Sequence, residues 1–335
     1  MTTKYQPFLR PLLVIFLFIS TSLNAQTSLI HCDSEITKAV QDKMKTFQSI
    51  YEALDTKSGG IREQNQSLYL SGTNGKAVII QHGFIASPFE VMSAVQYLHD
   101  KGYSVYAPLL FGFGSSAKVA NSITRQDWKN DFSENISILR KCYEKITLIG
   151  FSIGATLALD YAYQHSKEVE SLILISPYYD VSDKMLESLN RYANLFTDEI
   201  SVKFLYGVSR NNDLNAIINN PQFYNQKFPL NSSSQAIELG KQIQSDYLNS
   251  TEYNKQQLSL PNLTIFSESD KTIKQSLVAK IPASLFNQSV VHPIGQSFQV
   301  PHQVLLPDSN PLLKNILEII SSFMTQEHDK CCGAY

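Results

Sequence analysis

The run Gly150-Phe151-Ser152-Ile153-Gly154 carries the clearest chemistry in the chain. A serine hydroxyl becomes a useful nucleophile only when it is exposed, rigidly held and given a base. Here the serine falls between a short apolar run, Ile146-Thr147-Leu148-Ile149, and an alanine-rich stretch over 153–165. A strand-to-helix turn of this kind displays the hydroxyl, and glycine on either side lets neighbouring backbone approach it. The helix start at Ile153 also directs unpaired N–H groups and the positive end of the helix dipole at the site. The implied chemistry is acyl transfer through Ser152. It requires donors for a developing oxyanion, and the Ile153 N–H, just after the serine, is one. The second is expected from the loop Gln81-His82-Gly83-Phe84-Ile85-Ala86-Ser87-Pro88, where Gly83 allows a tight turn and the Phe84 N–H then faces the charge. Losing one such donor typically costs about 10²–10³ in rate. His82 reads as a brace for the loop, not as a base.

These residues need a scaffold, and the hydrophobic pattern supplies one. Ala77-Val78-Ile79-Ile80, Ile146-Thr147-Leu148-Ile149 and Ser171-Leu172-Ile173-Leu174-Ile175 are short continuous apolar runs, as expected of strands buried on both faces of a parallel sheet. Ser104-Val105-Tyr106-Ala107 is another strand, and helical patterns over 89–101, 128–143 and 153–165 alternate with them. This rhythm predicts a mostly parallel sheet with right-handed crossovers and helices on both faces. The rhythm stops near Pro177 and resumes at Asn262-Leu263-Thr264-Ile265-Phe266, then at Ser289-Val290-Val291, with a last amphipathic helix over 311–323. Residues 178–259 therefore read as a helical cap insertion. Its aromatic residues, Tyr192, Phe196, Phe204, Tyr206, Phe223, Tyr224, Phe228 and Tyr247, are candidates to line a pocket for an acyl chain. A helix is expected over 34–54. The expected organisation is a signal segment 1–25, an N-terminal helical segment 26–60, a core in two parts, 61–177 and 260–326, around the insertion, and a tail 327–335.

Four motifs occur in order: Gln81-His82-Gly83-Phe84 with Ser87-Pro88, Gly102-Tyr103-Ser104-Val105-Tyr106-Ala107-Pro108, Asp127-Trp128, and the glycine-flanked serine. Together they resemble the α/β-hydrolase carboxylesterases and the monoacylglycerol lipase/lysophospholipase group, which is serine aminopeptidase S33-like. The similarity covers roughly 76–177 and returns from 261 to the end. It implies an α/β-hydrolase fold and a serine hydrolase whose acid and then base follow the serine. Asp270, after the strand that resumes the pattern, resembles the family's acid; Asp180 and Glu268 are its rivals. His302, in Pro301-His302-Gln303-Val304-Leu305, resembles the family's base, with His292 as rival, while His328 lies in the tail. The chain departs from the family at Leu110-Phe111-Gly112-Phe113-Gly114, where relatives often carry Pro-Gly-His-Gly, and that puts the loop shape and pocket lining in question.

A net charge of -2, with no basic cluster, argues against nucleic-acid binding. Lys4, Arg10, the apolar run from Leu12 to Ile19 and the small residues to Ala25 match a secretory signal. The run is short for a bilayer span of ~20 residues. Export to a periplasm or the medium is expected, with an uncleaved anchor as the alternative. Cys32 and Cys142 are able to pair in an oxidising compartment, although spacing alone does not show it, and Cys331-Cys332 are adjacent. No metal-ligand spacing appears, and acyl transfer of this type requires no cofactor. The expected partner is a small-molecule ester or lipid, with transient membrane-surface contact through the insertion and no obligate protein partner. Two alternatives stand beside ester hydrolysis: an exported aminopeptidase, which an acidic cluster in the insertion would favour where only scattered residues such as Glu187, Asp198 and Glu199 occur, and a non-catalytic binding protein on the same scaffold.

Overall fold

The computed structural model describes residues 12–182, 193, 196–209, 213–248 and 257–326. Its strands are Leu68–Leu70 (β1), Ala77–Gln81 (β2), Ser104–Ala107 (β3), Ile146–Phe151 (β4), Val169–Ile175 (β5), Glu199–Ser201 (β6), Lys227–Pro229 (β7), Asn262–Ser267 (β8) and Ser289–Ile294 (β9). Among the described residues, seven of them form one sheet in the order β1-β3-β2-β4-β5-β8-β9. Every pairing in it is parallel except that of β1 with β3. β1 is too short and too half-buried to stand out as a sequence pattern.

Alternation along each strand explains the two-sided burial. Ile79, Leu148, Leu172 and Leu174 enter one core with the helices Leu12–Leu54 (α1), Ala117–Asn121 (α3), Arg125–Arg140 (α4) and Ile153–Gln164 (α5). Their neighbours Val78, Ile80, Ile149, Phe151, Ile173 and Ile175 enter the other, against Met92–Asp100 (α2) and a C-terminal helix, Leu313–Thr325. Each such side chain fully removed from water contributes about 1.5–3 kcal/mol. Local signals start the helices: Thr124 and Asp127 form a reciprocal capping box at α4, and Ser116 caps α3 by accepting from the Val119 N–H.

Two expected boundaries are corrected. The helix expected over 34–54 runs unbroken from Leu12, because neither Gly nor Pro interrupts residues 12–54. Lys4 and Arg10, the positive start of the expected signal, lie outside the described residues. Among the described residues no helix is long and apolar enough to cross a membrane. The strand expected to end at Val291 continues through His292 and Pro293 to Ile294; proline is tolerated because β9 is an edge. α1 is fastened to the body by a Cys32–Cys142 disulfide and by Lys43, whose Nζ lies 2.6 Å from Asp131 in a buried ion pair. Cys331, Cys332 and His328 lie outside the described residues.

The parallel register aligns the carboxyl ends of the central strands. Gln81 pairs with Gly150, Phe151 with Ile175, Ile175 with Ile265, and Ser267 with Ile294. In open α/β sheets ligands bind beyond these ends. Above them, between β5 and β8, the chain forms the β6–β7 ribbon and the helices Val202–Ser209 (α6), Leu214–Asn219 (α7) and Leu230–Ile243 (α8).

Candidate active site

Ser152 leaves β4 with φ +54° and ψ −120°, a left-handed conformation rare for a residue with a side chain. Such strain costs of order 1–3 kcal/mol and persists only where surrounding bonds impose it. Four do: Ser152 N donates to Ile175 O at 2.9 Å, while Ser152 O accepts from Ala155 N at 3.0 Å and from Thr156 N and Tyr178 N, each at 3.2 Å. The flanking glycines are needed for close approach. A Cβ on Gly150 would lie 2.4 Å from Ala155 Cα, and one on Gly154 would lie 2.4 Å from Gln81 O.

The Ser152 hydroxyl lies 2.9 Å from His302 Nε2, and His302 Nδ1 lies 2.6 Å from Asp270 Oδ2. The other Asp270 oxygen accepts from Thr272 N at 2.8 Å and Ile273 N at 3.2 Å. All three side chains are buried. Burial by itself lowers the His302 imidazole, but the Asp270 charge and hydrogen bond, with the Asp213 and Glu90 charges, outweigh it and hold the ring above its usual range. The structure thus brings Ser152, Asp270 and His302 together. It places their rivals elsewhere. Asp180 pairs with Lys274 at 3.1 Å, Glu268 accepts from Gln296 N at 3.0 Å, and His292 lies within β9 opposite Ile265.

The loop after β2 is held from several sides. His82 Nδ1–H donates to Gly83 O at 2.8 Å, and Nε2 accepts from Leu110 N at 2.9 Å. Burial pushes this imidazole down to about 4, so it stays neutral and acts as a brace. The departure at Leu110-Phe111-Gly112-Phe113-Gly114 supplies that brace's partner and an aromatic wall. Phe113 meets Phe84 edge-on at 5.3 Å and stacks on Trp128 at 5.9 Å. Among the described residues, neither the Phe84 N–H nor the Ile153 N–H enters a backbone hydrogen bond in the turns and loops. Both residues line the same cavity as Ser152.

Three lining residues carried no signal in the sequence. Glu90, fully buried, accepts from Gly83 N at 2.7 Å and from the Tyr224 hydroxyl at 2.9 Å, and burial raises its carboxyl to about 7. Asp213, at the start of α7, accepts from His302 N at 3.1 Å, Lys271 N at 2.9 Å and Thr272 Oγ1 at 2.8 Å. Gln303 follows His302 and is 4% exposed. Asp213 belongs to a polar stretch and Glu90 stands alone among Phe89, Val91 and Met92, and their partners lie far along the chain, so no spacing marks them.

The cavity measures about 140 Å³, and Ile200, Leu205, Leu214, Ile217, Phe228 and Leu230 give it apolar walls. Of the insertion's aromatics expected to line a pocket, Phe228 does so. Phe223 instead stacks on Phe89 at 3.5 Å, Tyr247 donates to Asp160, and Phe196 and Phe204 face solvent. Tyr192 and Glu187 lie outside the described residues. Asp198 is exposed and Glu199 pairs with Lys227 at 3.2 Å. Among the described residues no group of three or more His, Cys, Asp or Glu side chains is placed to hold a metal ion.

With this geometry in place, similarity to known proteins is informative. A family model described as serine aminopeptidase, S33, matches residues 72–289. A carboxylesterase of Bacillus subtilis (strain 168) is 29% identical over 89 residues, covering 26% of this chain and 36% of its own. A thermostable monoacylglycerol lipase of Bacillus sp. (strain H-257) is 27% identical over 104 residues, covering 31% of this chain and 41% of its own. The chain spans about a third of the length of the curated relatives it matches. A solved structure of LipS and LipT, two metagenome-derived lipolytic enzymes, superposes with a TM-score of 0.63 at 16% identity, covering 79% of this chain and 98% of that one. At that identity the likeness is one of fold.

Proposed function

Because this chain belongs to the α/β-hydrolase family described as serine aminopeptidase, S33, we propose that it hydrolyses carboxylic esters. The observation that carries the reading is the Ser152–His302–Asp270 hydrogen-bond chain opening on an apolar cavity. Ser152 Oγ attacks the ester carbonyl carbon as its proton passes to His302 Nε2. The carbonyl oxygen, now negative, takes hydrogen bonds from the Phe84 and Ile153 N–H groups. Asp270 stabilises the imidazolium without becoming protonated. His302 then gives its proton to the leaving alcohol oxygen as the C–O bond breaks, leaving an acyl-serine. Water repeats the attack with His302 as base, releasing the carboxylic acid and restoring Ser152.

The apolar walls favour an acyl chain over a peptide side. Each methylene they cover is worth about 0.8 kcal/mol. In a series of p-nitrophenyl esters from acetate to palmitate, kcat/KM is expected to rise from acetate to a medium chain and to vanish in Ser152→Ala. The aminopeptidase reading needs a cavity carboxylate free to hold an ammonium group, whereas Glu90 and Asp213 already accept hydrogen bonds from the protein. Cleavage of aminoacyl p-nitroanilides with no ester hydrolysis would establish that reading instead.

Export is part of the proposal. The Cys32–Cys142 disulfide belongs in an oxidising compartment and supports the signal read over 1–25. A non-reduced digest of the mature protein is expected to contain the Cys32–Cys142 peptide pair and to begin near residue 26. Phe196 and Phe204, 88% and 56% exposed on the insertion, suit transient contact with a membrane surface. Co-sedimentation with lipid vesicles, lost in the double alanine variant, checks that contact.

A further inference from the structure

The peptide that carries the Phe84 N–H is fixed from both ends. Gly83 O, across the same planar peptide bond, accepts from His82 Nδ1, which turns the N–H the opposite way. The preceding peptide is held by Gly83 N, which donates to Glu90 at 2.7 Å. The residue that follows, Ile85, has φ +53°, an outlier for a β-branched side chain. Such a conformation costs of order 1–3 kcal/mol and persists only where surrounding bonds impose it. Here the bond comes from the insertion: Asn225 N donates to Ile85 O at 3.0 Å, and both residues are buried.

Asn225 is in turn held from the core. Arg62, in the segment before β1, donates from Nη2 to Asn225 Oδ1 at 3.0 Å, and from Nη1 to Pro221 O at 3.1 Å and Tyr224 O at 3.4 Å. Its own backbone N donates to Gly114 O at 3.1 Å. Asn225 Nδ2 is buried without a hydrogen-bond partner, so it is the oxygen of this amide that fastens the side chain. One planar guanidinium fork thus grips three points of the insertion, which a single ammonium cannot reproduce. Arg62 is not itself in the cavity wall. Resting on the ester-hydrolase reading, we propose that Arg62 is a positioning residue for oxyanion stabilisation: it holds Asn225, which holds Ile85 and with it the Phe84 N–H. The substrate carbonyl oxygen needs this donor most once it is negative. A displaced Phe84 N–H therefore weakens the transition state and leaves binding along the apolar walls intact.

The test separates the oxyanion from the apolar walls with two inhibitors. Octyl trifluoromethyl ketone accepts Ser152 Oγ at its carbonyl carbon; the serine proton passes to His302, and the ketone oxygen becomes an anion with no leaving group to expel. Octanol occupies the same walls and forms no anion. Arg62→Met keeps the apolar stem and loses the fork. On protein shown to be folded by circular dichroism, its kcat for p-nitrophenyl butanoate is expected to fall about tenfold to a hundredfold, with KM within about twofold of wild type. The inhibition constant of the ketone should rise by a similar factor while that of octanol stays put. Asn225→Ala should show the same pattern, and Asn225→Asp, which keeps an oxygen acceptor for the guanidinium, should lie closer to wild type. The Arg62→Met/Asn225→Ala double variant should lose no more than either single change. The Asn225 pair reads the same contact even where Arg62→Met fails to fold. An unchanged ketone constant, equal rises for ketone and octanol, or losses that multiply in the double variant would overturn the assignment. A wild type inert toward both the ketone and a fluorophosphonate would bring down the hydrolase reading, and the assignment with it.

Discussion

Glu90 and Asp213 are both buried carboxyls on the cavity that holds Ser152, yet they join the insertion to the core in opposite senses. At Glu90 the core supplies the acceptor and the insertion supplies a donor, the Tyr224 hydroxyl. At Asp213 the insertion supplies the acceptor and the core supplies three donors, two of them backbone N–H groups of the loops that carry Asp270 and His302. Glu90 also receives the Gly83 N–H, so it steadies the loop that presents Phe84. With two donors, burial dominates and the Glu90 carboxyl rises to about 7. The contrast shows how one inserted segment engages both halves of the candidate site through separate hydrogen-bond sets, each with its own sensitivity.

The largest effect is expected at Asp213. Asp213→Ala leaves three donors unpaired, the buried His302 N–H at about 1–3 kcal/mol and two part-buried ones at less, and frees the loop holding His302. Denaturant unfolding should show a loss of about 2–4 kcal/mol, and kcat/KM should fall about a hundredfold as His302 loses its position. Asp213→Asn, which retains one carbonyl acceptor, should fall between. Equal effects of the two changes would break the comparison.

Glu90 gives a pH signature of definite sign. Its carboxyl titrates near 7 in the folded protein against 4.5 unfolded, so the fold keeps a proton that the unfolded chain has lost. Stability therefore falls as pH rises through that window, by up to about 3 kcal/mol. His82 acts in reverse. It titrates near 4 folded against 6.5 unfolded, and stability falls as pH drops between those values. In wild type the two slopes oppose each other between about 4.5 and 6.5. Glu90→Gln removes one of them, so its Tm should drop more steeply on acidification than that of wild type. The same variant removes a charge that raises His302, and the acid limb of kcat/KM should move to lower pH. The smallest effect is expected for Tyr224→Phe, which deletes one hydrogen bond, about 1 kcal/mol.

The sheet was legible because its strands are continuous apolar runs: β2, β4, β5 and β8 all fall where Val, Ile and Leu cluster. Ser152 was legible because a glycine-flanked serine at a strand-to-helix turn leaves a local trace. Asp270 and His302 were reached through resemblance, and the structure brings both to Ser152. β1 escaped notice because three half-buried residues make no pattern. Glu90, Asp213 and Gln303 escaped notice for a different reason. Their meaning lies in contacts made only on folding; Glu90 and Tyr224 stand 134 positions apart. The insertion's aromatics were conspicuous but mostly point elsewhere, while scattered aliphatic residues build the cavity wall.

Ser152 is proposed to be an activated nucleophile, and covalent labelling with a fluorophosphonate reads that reactivity at the residue itself. One adduct is expected, on the peptide containing Ser152, absent in Ser152→Ala and strongly slowed in His302→Ala. A wild-type protein that fails to label, or an adduct that persists unchanged in Ser152→Ala, would contradict it.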